Sequence, residues 1–211
     1  MWKINLKTVD QDKITKWLKI DYSLWTISVS SDGRLLLGQR VHRHHGESIL
    51  KIYGSDAELI RSIQLSRYIK DPQYALETSI GSFIIIHSII DEHAPQWEFK
   101  RISVVSEMAG DGQTIIRRFL PSNQIQRLGH PFHLSLNADH RVLVADTYND
   151  RVIILDYDLK WDRILLSSKE DNNWIRHPKR MFYDEEKKQL IVGAGGYFSV
   201  GSVNVYTLSG I

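Results

Sequence analysis

The sequence predicts an all-β protein, a β-propeller of four-stranded antiparallel blades, and three observations lead to this fold class. Short apolar runs alternate with polar residues along most of the chain, as half-buried strands require. Turn-forming segments separate these runs, among them Ser31-Asp32-Gly33, Gly54-Ser55-Asp56 and Gly110-Asp111-Gly112. A template of strands recurs at intervals of roughly 40–60 residues, which is the size of a propeller blade.

The composition is that of an ordinary globular protein, and it excludes several classes. Of the 211 residues, 42% are apolar and 25% are charged, with a formal net charge of +2, so the chain can bury a core. A membrane span is excluded because the longest apolar run, Phe83–Ile90, is interrupted by His87 and Ser88. The chain has no cysteine, which excludes disulfides, thiol nucleophiles and cysteine-ligated zinc.

The repeated template is a polar residue, a proline, an alternating strand, a turn and a second strand rich in Ile, Leu and Val. It occurs at Asp71-Pro72, His130-Pro131 and His177-Pro178, and a fourth copy without the proline begins at Tyr22. Each copy continues into a further hairpin, which completes four strands. The template predicts one domain over residues 1–211, with a half blade at 1–20, blades at about 21–66, 67–121 and 122–168, and a partial blade at 169–211.

The third copy of the template carries a sequence motif. Residues 144–152 read VADTYNDRV; they come after Pro131 and an apolar strand, and they lead into another apolar run. With its flanks, residues 130–156, this segment resembles an NHL repeat, in which a proline and an apolar strand precede a V-A-D-x-x-N-x-R-[IV] core. The other copies match the repeat only in outline. The resemblance implies a propeller that typically has six blades, and some NHL propellers bind RNA.

The length of the chain suits neither a four-bladed nor a six-bladed ring. Residues 2–9 and 14–20 are predicted to be the third and fourth strands of a blade whose first two are missing, and the chain ends on a three-stranded blade. We therefore predict an incomplete arc of about four and a half blades from a six-bladed NHL-type propeller. A closed four-bladed ring and another all-β fold are the alternatives. The open blade edges of an arc would favour self-association.

The motif residues Asp146, Asn149 and Arg151 allow two interpretations. They could form a polar ligand site at a loop. As structural residues, Asp146 and Asn149 would instead satisfy a tight turn, while Arg151 would pair with a carboxylate between blades. In the family that the segment resembles, the same set recurs in blade after blade, which favours the structural interpretation.

The segment His42-Arg43-His44-His45, followed closely by Glu47, has the most unusual local composition in the chain. Histidine is a common ligand of zinc, copper and nickel. Adjacent side chains on an extended loop point in different directions, however, and no second carboxylate is obviously positioned. We therefore predict a solvated basic loop here, and we predict no metal, no cofactor and no catalytic residue.

A charge asymmetry follows from the blade arrangement. The loops between the second and third strands of each blade and the loops between blades share one face of a propeller, which we call the loop face. The candidate binding residues on this face are basic or aromatic: Arg40, His42, Arg43, His44, His45, Arg67, Tyr68, Lys70, Arg127, His130, Tyr148, Trp174, Arg176 and His177. Basic residues interleaved with aromatic ones are typical of protein interfaces and of surfaces that bind nucleic acids.

The sequence therefore predicts a non-catalytic binding scaffold that engages a protein or peptide partner through its loop face. RNA binding on that face is the alternative, and a metal-dependent hydrolase or lyase of propeller fold is a third. Enzymes related by fold take acidic or histidine ligands from several inner strands, whereas here those strands offer Glu77 and His133 but few similar groups. We expect no membrane association, and we favour a cytoplasmic location because the N-terminus lacks a signal-peptide pattern.

Overall fold

The regular structure of the protein is almost entirely β-strand. A computed structural model describes residues 23–30, 32–40, 48–90, 101–123, 125–168, 175–195 and 201–208. This described part contains fifteen strands and one short 3-10 turn, Thr147–Asn149. No helix within it is long and apolar enough to cross a membrane. The half blade predicted at residues 1–20 lies outside the described residues.

The strands form four antiparallel sheets, each built from strands that are consecutive in the chain. Sheet 1 contains β1 (Ser23–Val29), β2 (Leu35–Arg40), β3 (Ser48–Tyr53) and β4 (Leu59–Gln64). Sheet 2 contains β5 (Lys70–Glu77), β6 (Phe83–Ile90), β7 (Arg101–Met108) and β8 (Ile115–Phe119). Sheet 3 contains β9 (Pro131–Leu136), β10 (Val142–Asp146), β11 (Arg151–Leu155) and β12 (Trp161–Ser167). Sheet 4 contains β13 (Pro178–Asp184), β14 (Gln189–Ala194) and β15 (Ser202–Thr207).

The burial of each strand reflects its place in its sheet. In β3, Leu50 and Ile52 are buried while Ile49 and Lys51 between them are partly exposed, which is the alternation of a strand with one buried face. The middle strands β10 and β11 are buried along their whole length, because sheets pack against both of their faces. The apolar, β-branched composition of these middle strands follows from that burial.

The four sheets are arranged as the blades of a four-bladed β-propeller, which confirms the predicted class, an all-β propeller of antiparallel blades. The described residues form four blades, and the further half blade of the predicted arc of a six-bladed propeller lies outside them. Their first strands β1, β5, β9 and β13 are the inner strands, and each packs beside the next. Three apolar cores lie between successive sheets: one contains Phe83, the next contains Ile86 and Val144, and the third contains Leu143 and Leu190. Burial of these cores stabilises the arrangement of one blade against the next.

The turns that open three of the inner strands share an unusual backbone conformation. The residue before the proline has a φ of 42° at Asp71, 59° at His130 and 47° at His177. A residue other than glycine adopts this left-handed region at a cost of roughly 1–2 kcal/mol, and a residue before proline normally prefers an extended conformation. The repeat template therefore reproduces one strained turn at three equivalent places on the loop face.

Polar side chains join neighbouring inner strands. Thr26 Oγ1 accepts a hydrogen bond from the Ala75 N–H at 3.2 Å, and Ser28 Oγ donates to the Ala75 carbonyl at 2.8 Å. Between β9 and β13, His133 Nδ1 accepts a hydrogen bond from the Met181 N–H at 3.4 Å. These bonds satisfy backbone groups at the centre of the propeller, which would otherwise be buried without a partner.

Candidate functional site

A cleft of about 560 Å³ opens on the loop face, where the inner strands begin. Every inner strand contributes to its walls, with Trp25 from β1, Gln73 from β5, Phe132 from β9 and Arg180 from β13. Arg40, the last residue of β2, also lines it. We call this space the loop-face cleft. Its size lies in the range of sites that hold small molecules, and it would accommodate a few residues of a peptide.

Three polar atoms of residues that line the loop-face cleft are buried and have no hydrogen-bond partner in the described part of the chain. They are Trp25 Nε1, Gln73 Oε1 and His130 Nδ1. A buried polar atom without a partner costs roughly 1–3 kcal/mol, and folded proteins contain few of them. Three of these atoms lie around this one cleft.

His130 lies between two aromatic rings at the loop-face cleft. The centroid of its imidazole is 5.0 Å from that of Tyr148 and 4.8 Å from that of Phe132. The Tyr148 ring is itself 58% exposed and extends the aromatic surface beyond the cleft. Among the predicted binding residues that the structure describes, Arg40 and His130 line the cleft, and Tyr148 packs against His130.

Two arginines give the loop-face cleft its positive charge. Arg40 Nη2 lies 3.8 Å from Asp71 Oδ1, so this charge is partly neutralised. Arg180 Nη1 donates to the carbonyl of its neighbour Lys179 at 3.0 Å, and no carboxylate of a described residue pairs with Arg180. The guanidinium of Arg180 is therefore available to a ligand.

The inner strands enclose a channel behind the loop-face cleft. Tyr74 lines both the cleft and a second cavity of about 640 Å³ that extends toward the opposite face. Its ring centroid lies 4.3 Å from that of His133. Burial raises the pKa of Tyr74 to about 12, although the Arg180 charge opposes this shift, and burial together with that charge lowers the pKa of His133 to about 3. Both rings are neutral at physiological pH.

Several other predicted binding residues are spread over the loop face. Arg67 and Tyr68 precede β5 and are exposed, with the guanidinium 5.2 Å from the centroid of the phenol ring. Lys70, predicted to lie in a loop, is the first residue of β5, and Arg176 is exposed before β13. The remaining predicted binding residues lie outside the described residues: His42, Arg43, His44, His45 and Trp174.

His177 and Arg127 contact the turn between β10 and β11. The His177 N–H donates to Asp150 Oδ1 at 2.7 Å, and His177 Nδ1 lies 3.4 Å from the same oxygen. The carbonyl of Arg127 accepts hydrogen bonds from Asn149 Nδ2 at 2.9 Å and from Arg151 Nη2 at 2.8 Å. These contacts anchor the connections that enter and leave sheet 3, and they do not reach the loop-face cleft.

The motif residues form a buried, hydrogen-bonded cluster, which we call the Asp146 cluster. The Asp146 carboxylate accepts hydrogen bonds from the Gly129 N–H at 2.6 Å, Asn149 Nδ2 at 2.8 Å and Arg151 Nε at 2.7 Å. The expectation that Arg151 pairs with a carboxylate between blades is wrong, because its partner Asp146 lies opposite it in the β10–β11 hairpin. The cluster instead holds the connection before β9 against this hairpin.

Sequence reasoning missed several residues at the centre of the molecule: Trp25, Gln73, Tyr74, Phe132 and Arg180. The repeat template contained a signal for some of them. The residue two positions after the proline in each copy, which is Tyr74, His133 or Arg180, comes to the cleft or the channel. Only the position relative to the proline could have pointed to these residues, because the three residue types differ and form no recognisable motif.

Two inner-strand side chains that could serve catalysis contact other protein groups, although Glu77 Oε2 is buried without a hydrogen-bond partner among the described residues. Glu77 Oε1 pairs with Arg34 at 3.2 Å, and burial raises the pKa of the Glu77 carboxyl. His133 accepts the backbone N–H of Met181. Within the described ranges, no three His, Cys, Asp or Glu side chains lie close enough together to hold a metal ion.

Comparison with known proteins identifies similar folds. No family model matches the sequence, and no curated protein matches it. An auxiliary nutrient binding protein from Bacteroides thetaiotaomicron is 11% identical with a TM-score of 0.52, over 85% of this chain and 47% of that one. A luciferin-regenerating enzyme is 13% identical with a TM-score of 0.51, over 84% and 58%. A virginiamycin B lyase from Staphylococcus aureus is 12% identical with a TM-score of 0.48, over 90% and 57%.

At these identities the similarity shows the β-propeller fold alone. The chain spans a little over half the length of the first solved structures that it matches. The two similar proteins with TM-scores above 0.5 are named as a nutrient-binding protein and an enzyme. One fold supports unrelated activities, so the function of this β-propeller has to be argued from its own residues.

Proposed function

We propose that the chain is an NHL-like propeller that acts as a non-catalytic binding module and engages a peptide segment of a partner protein at the loop-face cleft. The observation that carries this proposal is the set of three buried polar atoms without partners on residues that line the cleft. The VADTYNDRV motif at residues 144–152 supports the relation to NHL repeats.

The hydrogen-bonding groups of the cleft match a peptide backbone. Trp25 Nε1 can only donate and Gln73 Oε1 can only accept, so a ligand that satisfies both must offer an acceptor and a donor. A peptide unit offers both in its carbonyl and its N–H. His130 Nδ1 can take either role, depending on the tautomer of the ring.

Apolar surface in the loop-face cleft supports a peptide ligand with apolar side chains. Leu24 and Ile27 on β1 line the cleft and are 41% and 58% exposed, and Phe132 lies among the lining residues. Packing a side chain on this surface would remove it from water, which stabilises a complex by about 25 cal/mol per Å² of apolar surface. The cleft thus combines apolar contact area with a few directed hydrogen bonds, as peptide-binding sites do.

The test is a selection of random peptides displayed on phage against the immobilised protein, followed by calorimetry with synthetic versions of the enriched peptides. Trp25→Phe removes the Nε1–H donor and replaces the indole by a smaller ring, and we expect it to weaken binding roughly fivefold. Trp161→Phe on β12, outside the cleft, is the matched control and should leave the affinity unchanged. Failure to enrich any peptide, or equal affinities for the two variants, would contradict the proposal.

RNA binding on the loop face is a second candidate, because exposed aromatic rings lie beside cationic or imidazole groups there. Tyr68 is 61% exposed next to Arg67, and Tyr148 stacks on His130. Bases of a single strand stack on such rings. A labelled single-stranded RNA titrated at increasing salt tests this candidate. Salt-sensitive binding that Tyr148→Ala weakens supports it, and no binding at low salt excludes it.

A further inference from the structure

We propose that the channel behind the loop-face cleft binds a single carboxylate through Tyr74 Oη, the imidazole N–H of His133 and the guanidinium of Arg180. We call these three side chains the channel donors. The anion site itself stands on the geometry of the channel. That the carboxylate belongs to a peptide rests on the proposed function, where it would anchor the peptide as an acidic side chain or a C-terminus.

The channel donors meet where the cleft joins the channel: Tyr74 lines both, Arg180 lines the cleft and His133 lines the channel. Each is the second residue after the proline that opens an inner strand, so they hold equivalent positions on β5, β9 and β13. Tyr74 and His133 are in contact, with ring centroids 4.3 Å apart. His133 is tied to β13 by the hydrogen bond from the Met181 N–H, and Met181 is the residue that follows Arg180. Both rings also feel the Arg180 charge, which lowers the pKa of each.

Each channel donor has a hydrogen that no described residue accepts. Because His133 Nδ1 accepts the Met181 N–H, the ring hydrogen is assigned to Nε2. Neither Tyr74 Oη nor His133 Nε2 has a hydrogen-bond partner among the described residues, and both groups belong to the walls of the channel. Arg180 donates from Nη1 to the Lys179 carbonyl, which leaves its other N–H groups for a ligand.

The carboxylates that line the cleft and the channel already have cationic partners, so none of the described carboxylates pairs with Arg180. The pairs are Asp71 with Arg40, Glu77 with Arg34, and Glu185 with Lys188. A guanidinium with free N–H groups binds a carboxylate by charge-assisted hydrogen bonds, which are among the stronger hydrogen bonds in proteins. Arg180 is exposed and has no carboxylate partner among the described residues, so its guanidinium is free to pair with an anion from solution.

The charge of the site selects a monoanion. His133 and Tyr74 are neutral at physiological pH, so the channel donors comprise one permanent positive charge and two neutral donors. A carboxylate carries one negative charge and two oxygens with about four acceptor positions, which matches this set. A phosphate dianion would leave one negative charge uncompensated in a partly buried channel, and burial of such a charge is costly.

The probe is sodium acetate, titrated at constant ionic strength against chloride. In protein labelled with ¹⁵N in histidine, long-range ¹H–¹⁵N spectra report the nitrogens of the nine imidazoles, and the signal missing from His133→Gln identifies His133. We expect a saturable shift of the His133 Nε2 signal with a dissociation constant on the order of millimolar. A linear shift that chloride reproduces would overturn the proposal, and so would tighter binding of phosphate as a dianion.

Variants separate a binding role of Arg180 from a structural one. Arg180→Gln should weaken acetate binding about tenfold or more, Arg180→Lys should restore part of it, and neither should lower the melting temperature. Arg163→Gln, an exposed arginine on the outer strand β12, is the matched control and should bind acetate as the unmodified protein does. Acetate binding that survives Arg180→Gln would contradict the proposal.

Peptides identify the source of the carboxylate. If a selected peptide has a free C-terminus, amidating it or changing its acidic side chains to amides shows which group the channel binds, and Arg180→Gln should remove that difference. If acetate binds but no peptide is selected, the anion site stands and the proposed peptide function fails. If a selected peptide binds equally well with every carboxylate removed, the proposal of a carboxylate anchor fails and the peptide function stands.

Discussion

The Asp146 cluster and the loop-face cleft are both rich in polar side chains, but they use them in opposite ways. In the cluster, the Asp146 carboxylate accepts three hydrogen bonds, and Arg151 donates to carbonyls of the preceding connection. In the cleft, Trp25 Nε1 and Gln73 Oε1 are buried and have no partner in the described part of the chain. The difference teaches that polar groups with protein partners hold this fold together, and it makes the partnerless groups of the cleft the basis of the proposed peptide site.

The largest expected effect is in the Asp146 cluster. Asp146→Ala leaves Arg151, whose side chain is 8% exposed, as a buried charge without its carboxylate. Removing one partner of a buried ion pair costs about 3–5 kcal/mol, and urea unfolding should show a loss of this size. The control is Asp162→Ala on β12, which pairs with the partly exposed Arg141 and the exposed Arg163 and should cost less than about 1 kcal/mol. Equal losses for the two variants would contradict a structural role of the cluster.

His87 is a second polar group whose hydrogen-bonding atoms have protein partners, and its burial predicts that the stability of the protein depends on pH. It is completely buried, with Nε2 2.8 Å from Ser106 Oγ and Nδ1 3.1 Å from the Ser88 carbonyl, and burial lowers the pKa of His87 from 6.5 to about 4. Between pH 6.5 and about 4, the imidazole of His87 therefore binds a proton in the unfolded chain but stays neutral in the folded chain. The free energy of unfolding should therefore decrease by about 3 kcal/mol in total as the pH falls from 6.5 toward 4.

The measurement is urea unfolding at several pH values for the unmodified protein and for His87→Gln, in which position 87 cannot titrate. Other groups titrate in this range as well, and they do so equally in both proteins. The informative quantity is therefore the difference between the two pH profiles of the free energy of unfolding. If the two profiles were parallel, the buried, neutral state of His87 would be wrong.

Thr26 combines features of both regions, because it lines the loop-face cleft but its hydroxyl already has a hydrogen-bond partner within the protein. Its Oγ1 accepts the Ala75 N–H of the next inner strand. Thr26→Val leaves that N–H without its partner and should lower the free energy of unfolding by about 1–2 kcal/mol. Thr207→Val on the exposed strand β15 is the control and should change it by less than about 0.5 kcal/mol. A neutral Thr26→Val would mean that this bond does not join the two blades.

The fold could be predicted from the sequence because its signals are local. Period-two patterns and turn residues mark strands directly, and the prolines of the template mark inner strands. Pro131 and Pro178 are the first residues of β9 and β13, and Pro72 is the third residue of β5. The partner of Arg151 was mispredicted because it depends on strand register, which places Asp146 directly opposite within the hairpin.

The candidate site could be predicted only in part. Arg40 and His130 were recognised by charge and loop position, and both line the cleft. Gln73 looks like any polar residue of an alternating strand, since a sequence pattern shows which way a side chain faces but not whether a neighbouring blade supplies a hydrogen-bond partner. The absence of a partner for Gln73 Oε1 is a property of the assembled blades.

Gln73→Leu should have the smallest effect on stability. The substitution removes a buried acceptor that has no partner and replaces it with an apolar side chain of similar size. Such a change is close to neutral or slightly stabilising, so urea unfolding should agree with that of the unmodified protein to within about 0.5 kcal/mol. A clear loss of stability would mean that this side chain serves the fold after all.

The most direct test compares Gln73→Leu with Thr26→Val, two variants in the same cleft. Gln73 Oε1 has no protein partner, whereas Thr26 Oγ1 has one. Peptide binding is measured by calorimetry with a selected peptide, and stability is measured by urea unfolding. We expect Gln73→Leu to weaken peptide binding roughly fivefold without loss of stability, and Thr26→Val to lower stability without weakening binding. The opposite pattern, or parallel changes in both quantities for both variants, would contradict the proposal that polar groups of the loop-face cleft without protein partners bind the ligand.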